Sequence, residues 1–325
     1  MRRLHQKVLT DVSVEKVAYP EKAAPKWSKG RALKKRNNAQ YGKMINMLTP
    51  IQIRKLASLL WPSDREMAVS PRWLFVRAGR LNETFVKNAR IASEVTNDLQ
   101  VVTVNGEAYV WPAKADIYAL LTILCELKNS NHPHQYIYGN TKVVAGDVVV
   151  DIGACEGSFS AYAAGLGAEV IAVEPSQIMM RVINALFELR GLRKPTIANT
   201  LLGGEPQSLH FTDNPDNPGG SRVAGQADAN SYPVPVTTLD GMVTSLGLKQ
   251  VDFIKCDAEG ADVGILKSGK KTLEKFHPKL AITTYHGTND FLDLFSFLKP
   301  LGYKIEGKGL LYTNNEFRVL MLHAW

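Results

Sequence analysis

The feature that most constrains the fold is residues 148–157, where an apolar run leads into a glycine turn and then a helix-forming segment. Val148, Val149 and Val150 are typical of a buried strand. Gly153 lets the backbone approach a ligand without a β-carbon, and Gly157 opens the next helix close to the strand. This order predicts a ligand site at the carboxyl edge of a parallel sheet.

Strands and helices alternate after Tyr136, which predicts a mostly parallel sheet covered on both faces. We place the strands at residues 147–152, 169–173, 195–199, 251–256 and 280–285, and the helices at 157–165, 177–189, 261–275 and 290–298. Two closing strands, 303–306 and 317–322, are joined by a short polar connection at 307–315 and would add an antiparallel strand at the edge of the sheet. The predicted fold class is α/β, with a Rossmann-like sheet.

Residues 1–135 have a different pattern. Residues 1–45 are polar and basic, which predicts a largely irregular arm with one helix around 31–44. A helix should begin after Thr49 and end near Trp61, and a second should span 116–127. Between them, the pair Asn105-Gly106 separates strands 99–104 and 107–111 and predicts a hairpin. We therefore divide the chain into an arm (1–45), a small α+β cap region (46–135) and a ligand-binding domain (136–325).

Residues 213–231 are crowded with Asn, Asp, Pro and Gly and lack an apolar period. They predict a long loop between strand fragments 208–211 and 232–235. A substrate lid and a plain surface insertion both fit this composition.

The net charge of +8 lies in the arm, because residues 1–45 hold twelve Lys or Arg and only three acids. The cluster at 31–36 could attract nucleic acid or acidic lipid, and a solvated extension is the alternative. No stretch approaches the roughly 18 apolar residues of a membrane helix, and no apolar signal core follows Met1, so we expect a cytoplasmic protein. The three cysteines form no CxxC pair, which indicates neither a zinc knuckle nor a disulfide framework.

A carboxylate ends each of the first two strands of the predicted sheet. Asp151 can receive the ammonium of a methionine moiety, and Glu174 can accept both hydroxyl protons of a ribose. A pyrophosphate would be repelled at Asp151, and the turn reads G-x-x-x-G where a dinucleotide fold needs G-x-G-x-x-G. These features favour S-adenosylmethionine. The predicted cofactor-binding residues are Asp151, Gly153, Ala154, Cys155, Gly157, Glu174, Pro175, Asn199 and Asp257.

A further apolar strand, 251–256, delivers Asp257 and Glu259 to the same edge, and His286 ends the next strand. These three are the candidate catalytic bases, in the order Asp257, Glu259, His286. Alternatively, one acid caps a helix and the other pairs with Lys255. A divalent metal held by Asp257 and Glu259 is less favoured, because two acids do not make a complete ligand set, so no metal ligand is assigned.

Four motifs in order resemble the FkbM family of methyltransferases: Asp151-x-Gly153-Ala154-x-x-Gly157, Glu174-Pro175, Thr238-Leu239-Asp240 and Lys255-x-Asp257-x-Glu259-Gly260. The resemblance covers residues 136–286. It implies a class I methyltransferase fold, S-adenosylmethionine as cofactor and usually O-methylation of a hydroxyl on a sugar, polyketide or similar natural product. The family commonly has Asn at the position of Cys155 and often Glu at that of Thr284, which puts a catalytic role on that strand in doubt.

We therefore expect an enzyme that moves a methyl group from S-adenosylmethionine to an oxygen of a small molecule, a hydroxyl before a carboxylate. A nucleic-acid methyltransferase using the basic arm is less favoured, because residues 255–259 differ from the Asn-Pro-Pro-Tyr-like run of base methylation. An NAD-dependent oxidoreductase and a non-catalytic binding module also compete with this assignment. The sequence does not indicate the oligomeric state.

Overall fold

The computed structural model describes residues 50–60, 68–70, 73, 78–205, 207–224, 226–227, 229–313 and 316–325. The basic arm and the helix predicted at 31–44 lie outside these residues.

Strands and helices are numbered in chain order. The strands are β1 Ile91–Thr96, β2 Leu99–Val104, β3 Glu107–Pro112, β4 Val148–Ile152, β5 Glu169–Val173, β6 Thr196–Ala198, β7 Leu201–Leu202, β8 Gln207–Thr212, β9 Arg222–Val223, β10 Ser231–Thr237, β11 Phe253–Cys256, β12 Lys279–Thr283, β13 Ile305–Thr313 and β14 Glu316–Ala324. The α-helices are α1 Pro50–Leu60, α2 Ala78–Asn88, α3 Ile117–Lys128, α4 Ser158–Gly165, α5 Gln177–Leu189, α6 Leu239–Ser245, α7 Asp262–Ser268, α8 Lys270–Phe276 and α9 Asp290–Leu298. Short 3-10 helices lie at Pro218–Gly220 and Lys299–Leu301.

A seven-stranded sheet in the order β13-β14-β12-β11-β4-β5-β6 forms the centre of the protein. β4 pairs in parallel with both β5 and β11, and β12 continues the parallel arrangement. β14 runs antiparallel to β12 and β13. The strand order reverses between β4 and β11, which is the switch point where such sheets bind ligands. This architecture confirms the predicted α/β class and Rossmann-like sheet.

Helices cover both faces of this sheet, because alternate residues of a strand point to opposite sides. Val150 and Ile152 face a core shared with α1 and with α6 to α9. Val149 faces Phe159 and Ala163 of α4. The polar side chains at the strand ends are therefore the groups left at the carboxyl edge.

The N-terminal region is organised around the predicted hairpin. Asn105 and Gly106 have φ values of 52° and 88°, as a two-residue hairpin turn requires. β2 and β3 pair around them, and β1, which the sequence did not predict, pairs with β2. Leu59 of α1 packs into the central core, and Val110 of β3 packs with α5. Contacts thus cross the predicted boundary at residue 135, and the division into domains stays a prediction.

The segment 213–231 is not a plain loop. It contains β9, which extends a four-stranded sheet in the order β7-β10-β8-β9. Asp213, its first residue, and Tyr232, the residue directly after it, accept hydrogen bonds from the backbone N–H groups of Ile178 and Gln177 at the start of α5. The segment is therefore attached beside the carboxyl end of β5.

Three other predictions need correction. The predicted hairpin at the edge of the sheet is present as β13 and β14, but most of the predicted polar connection 307–315 belongs to β13. The antiparallel strand β14 lies one place inside the edge, where its apolar residues Val319, Met321 and Leu322 are fully buried. The helix predicted at 261–275 is divided at Gly269 into α7 and α8. The strand predicted to end at 285 ends at Thr283. Among the described residues, no helix has the length and apolar content needed to cross a membrane.

Candidate functional site

The turn after β4 is held by a buried ion pair. Asp151 is fully buried, accepts a hydrogen bond from Ser160 at 2.6 Å, and lies 3.1 Å from Lys255 Nζ. Lys255 also donates to the carbonyl oxygens of Gly153 at 2.5 Å and Ile152 at 3.3 Å. Burial alone would lower the pKa of Lys255, but the charges of Asp151 and Asp257 raise it above its usual value. The cation at Asp151 is thus Lys255, and the predicted contact of Asp151 with a cofactor ammonium, directly or through water, stays a prediction.

The glycines of the turn are required by close approaches. Gly153 has φ 69°, and a Cβ there would overlap the carbonyl oxygen of Asp257. Gly157 has φ 78°, and a Cβ there would lie 2.9 Å from Ile183. Cys155, between them, adopts φ 48° without being glycine, a conformation that Asn tolerates better. The turn is therefore pressed against the end of β11 on one side and α5 on the other.

Glu174 lies at the end of β5 with its carboxylate under this turn. It accepts a hydrogen bond from the Cys155 N–H at 2.8 Å and from the Ser176 N–H at 2.9 Å. Burial raises the pKa of Glu174 to about 7, and the two N–H groups oppose that rise. Because a carboxylate has about four acceptor positions, two more donors can be accommodated. These two open acceptor positions fit the two hydroxyls of a ribose.

The other predicted cofactor residues lie at the same edge. Ala154 is buried, and its N–H donates to the carbonyl of Val173 at 3.2 Å. The carbonyl of Pro175 accepts a hydrogen bond from Tyr232 at 3.3 Å. Asn199, just after β6, donates to the sulfur of Met180 at 3.0 Å. The structure thus brings the predicted set together, and its role in cofactor binding stays a prediction.

Asp257 follows β11, directly across the switch point from the β4 turn. Its Oδ2 accepts a hydrogen bond from Tyr136 at 2.6 Å and lies 3.8 Å from His134 Nε2. Its Oδ1 lies 3.3 Å from the hydroxyl oxygen of Thr283. The side chain is 17% exposed, so a ligand at this edge can reach it.

Asp262, which was not predicted as a site residue, organises the loop after Asp257. It is fully buried and accepts hydrogen bonds from the backbone N–H groups of Ala258 at 2.9 Å and Gly260 at 3.2 Å. Thr283 donates to it at 3.0 Å. The acid that holds this loop is therefore Asp262, and the partner of Lys255 is Asp151. Neither of the structural roles considered for Asp257 and Glu259 is observed.

Glu259 and His286 form the outer part of the site. Glu259 has φ 50°, and its side chain is 72% exposed. His286 lies 3.5 Å from Glu259 and 3.2 Å from Asp262. Burial would lower the pKa of His286, but the hydrogen bonds to Asp262 and Glu259 raise it to about 10. His286 therefore carries two ring protons at neutral pH, which argues against its predicted role as a base.

Asp257, Asp262 and His286 have potential ligand atoms within 4.8 Å of one another. The group differs from the predicted pair, because Glu259 is not a member. Both oxygens of Asp262 already accept backbone or hydroxyl donors, and His286 is protonated against it. These residues do not fit a divalent cation, because Asp257 alone of the three keeps a free ligand atom and a metal-binding histidine must be deprotonated.

Tyr136, His134 and Glu126 also belong to the site but were not predicted from the sequence. They lie at or before the predicted domain boundary, where no strand-end pattern marks them. Ser160 and Asp262 carried a weak signal, since each lies in the first turn of a helix that follows a site motif.

Comparison with known families matches residues 151–305 to a methyltransferase FkbM domain. A comparison with curated proteins found no match.

Among solved structures, the chain is similar to an FkbM methyltransferase from Methylobacillus flagellatus, with 22% identity and a TM-score of 0.43 over 65% of this chain and 56% of that one. It is also similar to an rRNA methylase from Streptococcus thermophilus, with 14% identity and a TM-score of 0.35 over 56% of this chain and 87% of that one. A third is a methyltransferase from Streptococcus mutans in complex with SAH, with 12% identity and a TM-score of 0.36 over 56% and 91% of the two chains. The chain thus spans little more than half of the first of these proteins, and the likenesses are too distant to carry an argument about the reaction.

The family match covers the β4 turn, Glu174, and the loop that contains Asp257 and Glu259. These are the motifs on which the resemblance in the sequence was based. The predicted resemblance is thus confirmed over residues 151–305, which match the methyltransferase FkbM domain.

Proposed function

We propose that the protein transfers a methyl group from S-adenosylmethionine to a hydroxyl oxygen of a small molecule, such as a sugar or another natural product. The observation that carries the proposal is the position of Asp257. Its carboxylate lies at the switch point, is partly open to solvent, and accepts a hydrogen bond from Tyr136. A base held rigidly at this edge suits proton removal from a bound acceptor.

Glu174 would hold the ribose of the cofactor, and the turn of Gly153 and Gly157 would allow it to approach the sheet. When bound, the cofactor supplies an electrophilic methyl group on a sulfonium. The close packing of Gly153 against Asp257 supports this assignment, because it brings the ribose-binding and proton-accepting groups to adjacent strand ends.

A hydroxyl becomes a good nucleophile only as its proton leaves, so a nearby acceptor for that proton is needed. Asp257 is the best candidate, because it is oriented and partly buried. Glu259 is mostly exposed and less constrained. His286, with a pKa of about 10, already carries protons on both ring nitrogens at neutral pH and cannot accept another. As the new carbon–oxygen bond forms and the carbon–sulfur bond breaks, the hydroxyl proton would pass to Asp257.

A methyl-labelling experiment tests this proposal. The protein is incubated with radiolabelled S-adenosylmethionine and fractionated extract, and the fractions are examined for label in small molecules, protein and RNA. We expect label in a small molecule that survives mild base, as an ether does and a methyl ester does not. Label in RNA or in a base-labile ester would overturn the proposed acceptor, and no label in any fraction would overturn the activity.

Asp257→Asn is the variant that tests the base. We expect it to retain cofactor binding and lose on the order of a hundred- to ten-thousandfold in rate. Asp293→Asn, an exposed acid on α9, is the matched control and should leave the rate unchanged. Near-normal turnover of Asp257→Asn would exclude Asp257 as the base.

A further inference from the structure

A second carboxylate, that of Glu126, is connected to Asp257 by a histidine that lies between them. The Oε2 atom of Glu126, on α3, lies 2.9 Å from His134 Nδ1. His134 Nε2, on the other side of the ring, lies 3.8 Å from Asp257 Oδ2. The three side chains form a row from the N-terminal region to the end of β11.

The His134 ring has little freedom to move. Its side chain is 9% exposed, and it packs edge-on against Tyr136 and Tyr285, with ring centroids 5.5 Å and 5.4 Å away. Nε2 is buried and makes no hydrogen bond to any of the described residues. A buried N–H without a partner is costly, and catalytic hydrogen bonds are often long until a ligand is bound. The direction of Nε2 therefore points to Asp257 as its partner in the working enzyme.

Two of the charged groups around the ring are acidic and one is basic. Glu126 approaches from α3 and Asp257 from the end of β11, while Lys255 of β11 acts in the opposite sense. Burial lowers the pKa of His134, but the two carboxylates outweigh it and raise the pKa above its usual value. The two carboxylates thus favour the protonated form of the ring.

We propose that Glu126 and His134 are positioning residues for methyl transfer, which orient the carboxylate of Asp257 toward the acceptor. Glu126 fixes the ring through Nδ1, and Nε2 then holds Oδ2 together with Tyr136, which leaves Oδ1 to meet the acceptor hydroxyl. The inference rests on the proposed function. It gives the region before residue 136 a part in the reaction, although the family match begins at Asp151.

An NMR titration of the histidine rings tests the coupling without an acceptor. The protein is labelled at histidine nitrogens, and the His134 signal is identified by its loss in His134→Gln. We expect its midpoint above 6.5, and we expect Glu126→Gln and Asp257→Asn each to move it to lower pH by about one unit or more. Glu83→Gln, an exposed acid on α2, is the matched control and should not move it. A His134 midpoint that neither variant changes would overturn the inference.

Kinetics with the acceptor found by methyl labelling tests the role in the reaction. We expect Glu126→Gln to lower kcat on the order of ten- to a hundredfold and to change its pH profile, with the Kd for S-adenosylhomocysteine unchanged. Glu126→Asp, which keeps the charge, should recover part of the rate. If the wild type is active and Glu126→Gln has the same kcat and pH profile, only this inference is overturned. If the wild type is inactive although the His134 midpoint depends on the two carboxylates, the proposed function is overturned, and this inference with it.

Discussion

Replacing Glu174 with glutamine should change both the strength and the pH dependence of cofactor binding. Burial raises the pKa of Glu174 from 4.5 to about 7. One pKa unit corresponds to about 1.4 kcal/mol, so the buried charge costs the free protein about 3 kcal/mol at high pH. The pKa of Glu174 is higher in the folded than in the unfolded protein. The stability gained by keeping this carboxyl protonated is therefore fully present below pH 4.5 and is lost as the pH rises through 7.

A ribose would reverse this preference, because its hydroxyls donate to the charged form. We therefore expect the Kd of wild-type protein for S-adenosylhomocysteine to weaken by about tenfold between pH 8 and pH 6, as the carboxylate takes up a proton. Glu174→Gln should bind more weakly at pH 8 by about 1.5 to 3 kcal/mol, or roughly ten- to a hundredfold, and should lose the pH dependence. Its amide has one oxygen for the two N–H groups of Cys155 and Ser176, so some loss of stability should accompany the change.

Isothermal titration calorimetry at pH 6, 7 and 8 measures these effects directly. Glu188→Gln, an exposed acid on α5, is the matched control and should behave as wild type. Wild-type binding that does not change with pH, together with equally tight binding by Glu174→Gln, would mean that Glu174 does not contact the ribose.

Two further variants test the framework of the site by urea denaturation. Gly153→Ala should lower the free energy of unfolding by about 2 kcal/mol or more, because the new methyl group overlaps the Asp257 carbonyl and φ is 69°. Gly165→Ala, at a position of α4 with open space around it, is the control and should not destabilise the protein. His286→Gln should remove a stabilisation that is full below pH 6.5 and is lost as the pH rises to about 10. Wild-type stability should therefore fall more between pH 7 and pH 10 than that of the variant, and equal slopes would contradict the raised pKa.

The sequence predicted the elements whose signals are local. Asn105-Gly106 fixes a hairpin because few other pairs adopt two positive φ angles, and the structure has that turn. The apolar run from Val148 to Val150, followed by Gly153, likewise predicted β4 and its turn, because this signal is also local. By contrast, β9 and the extent of β13 depend on pairing with strands distant in sequence, and no local pattern specifies that pairing.

The site was predictable to the same degree. Glu174 and Asp257 were predicted as site residues from their positions at strand ends, since parallel strands bring their carboxyl ends to one edge of the sheet. The partner of Lys255 was not found, because it depends on the register that places Lys255 opposite Asp151 on neighbouring strands. Tyr136 and His134 were missed for a similar reason, since only the tertiary fold brings them to Asp257.

The distribution of charge then indicates which carboxylates are left for ligands. Asp151 is neutralised by Lys255 and Asp262 by His286, and both acids are fully buried. Glu174 forms no ion pair with any of the described residues and is held by two backbone N–H groups. Asp257 has a long contact to His134 and a neutral donor in Tyr136. Two such carboxylates would match the proposed cofactor and hydroxyl acceptor, one for the ribose and one for the proton. The inner ion pairs hold the two loops that carry them, so the charges that stabilise the edge are distinct from those that would meet the reactants.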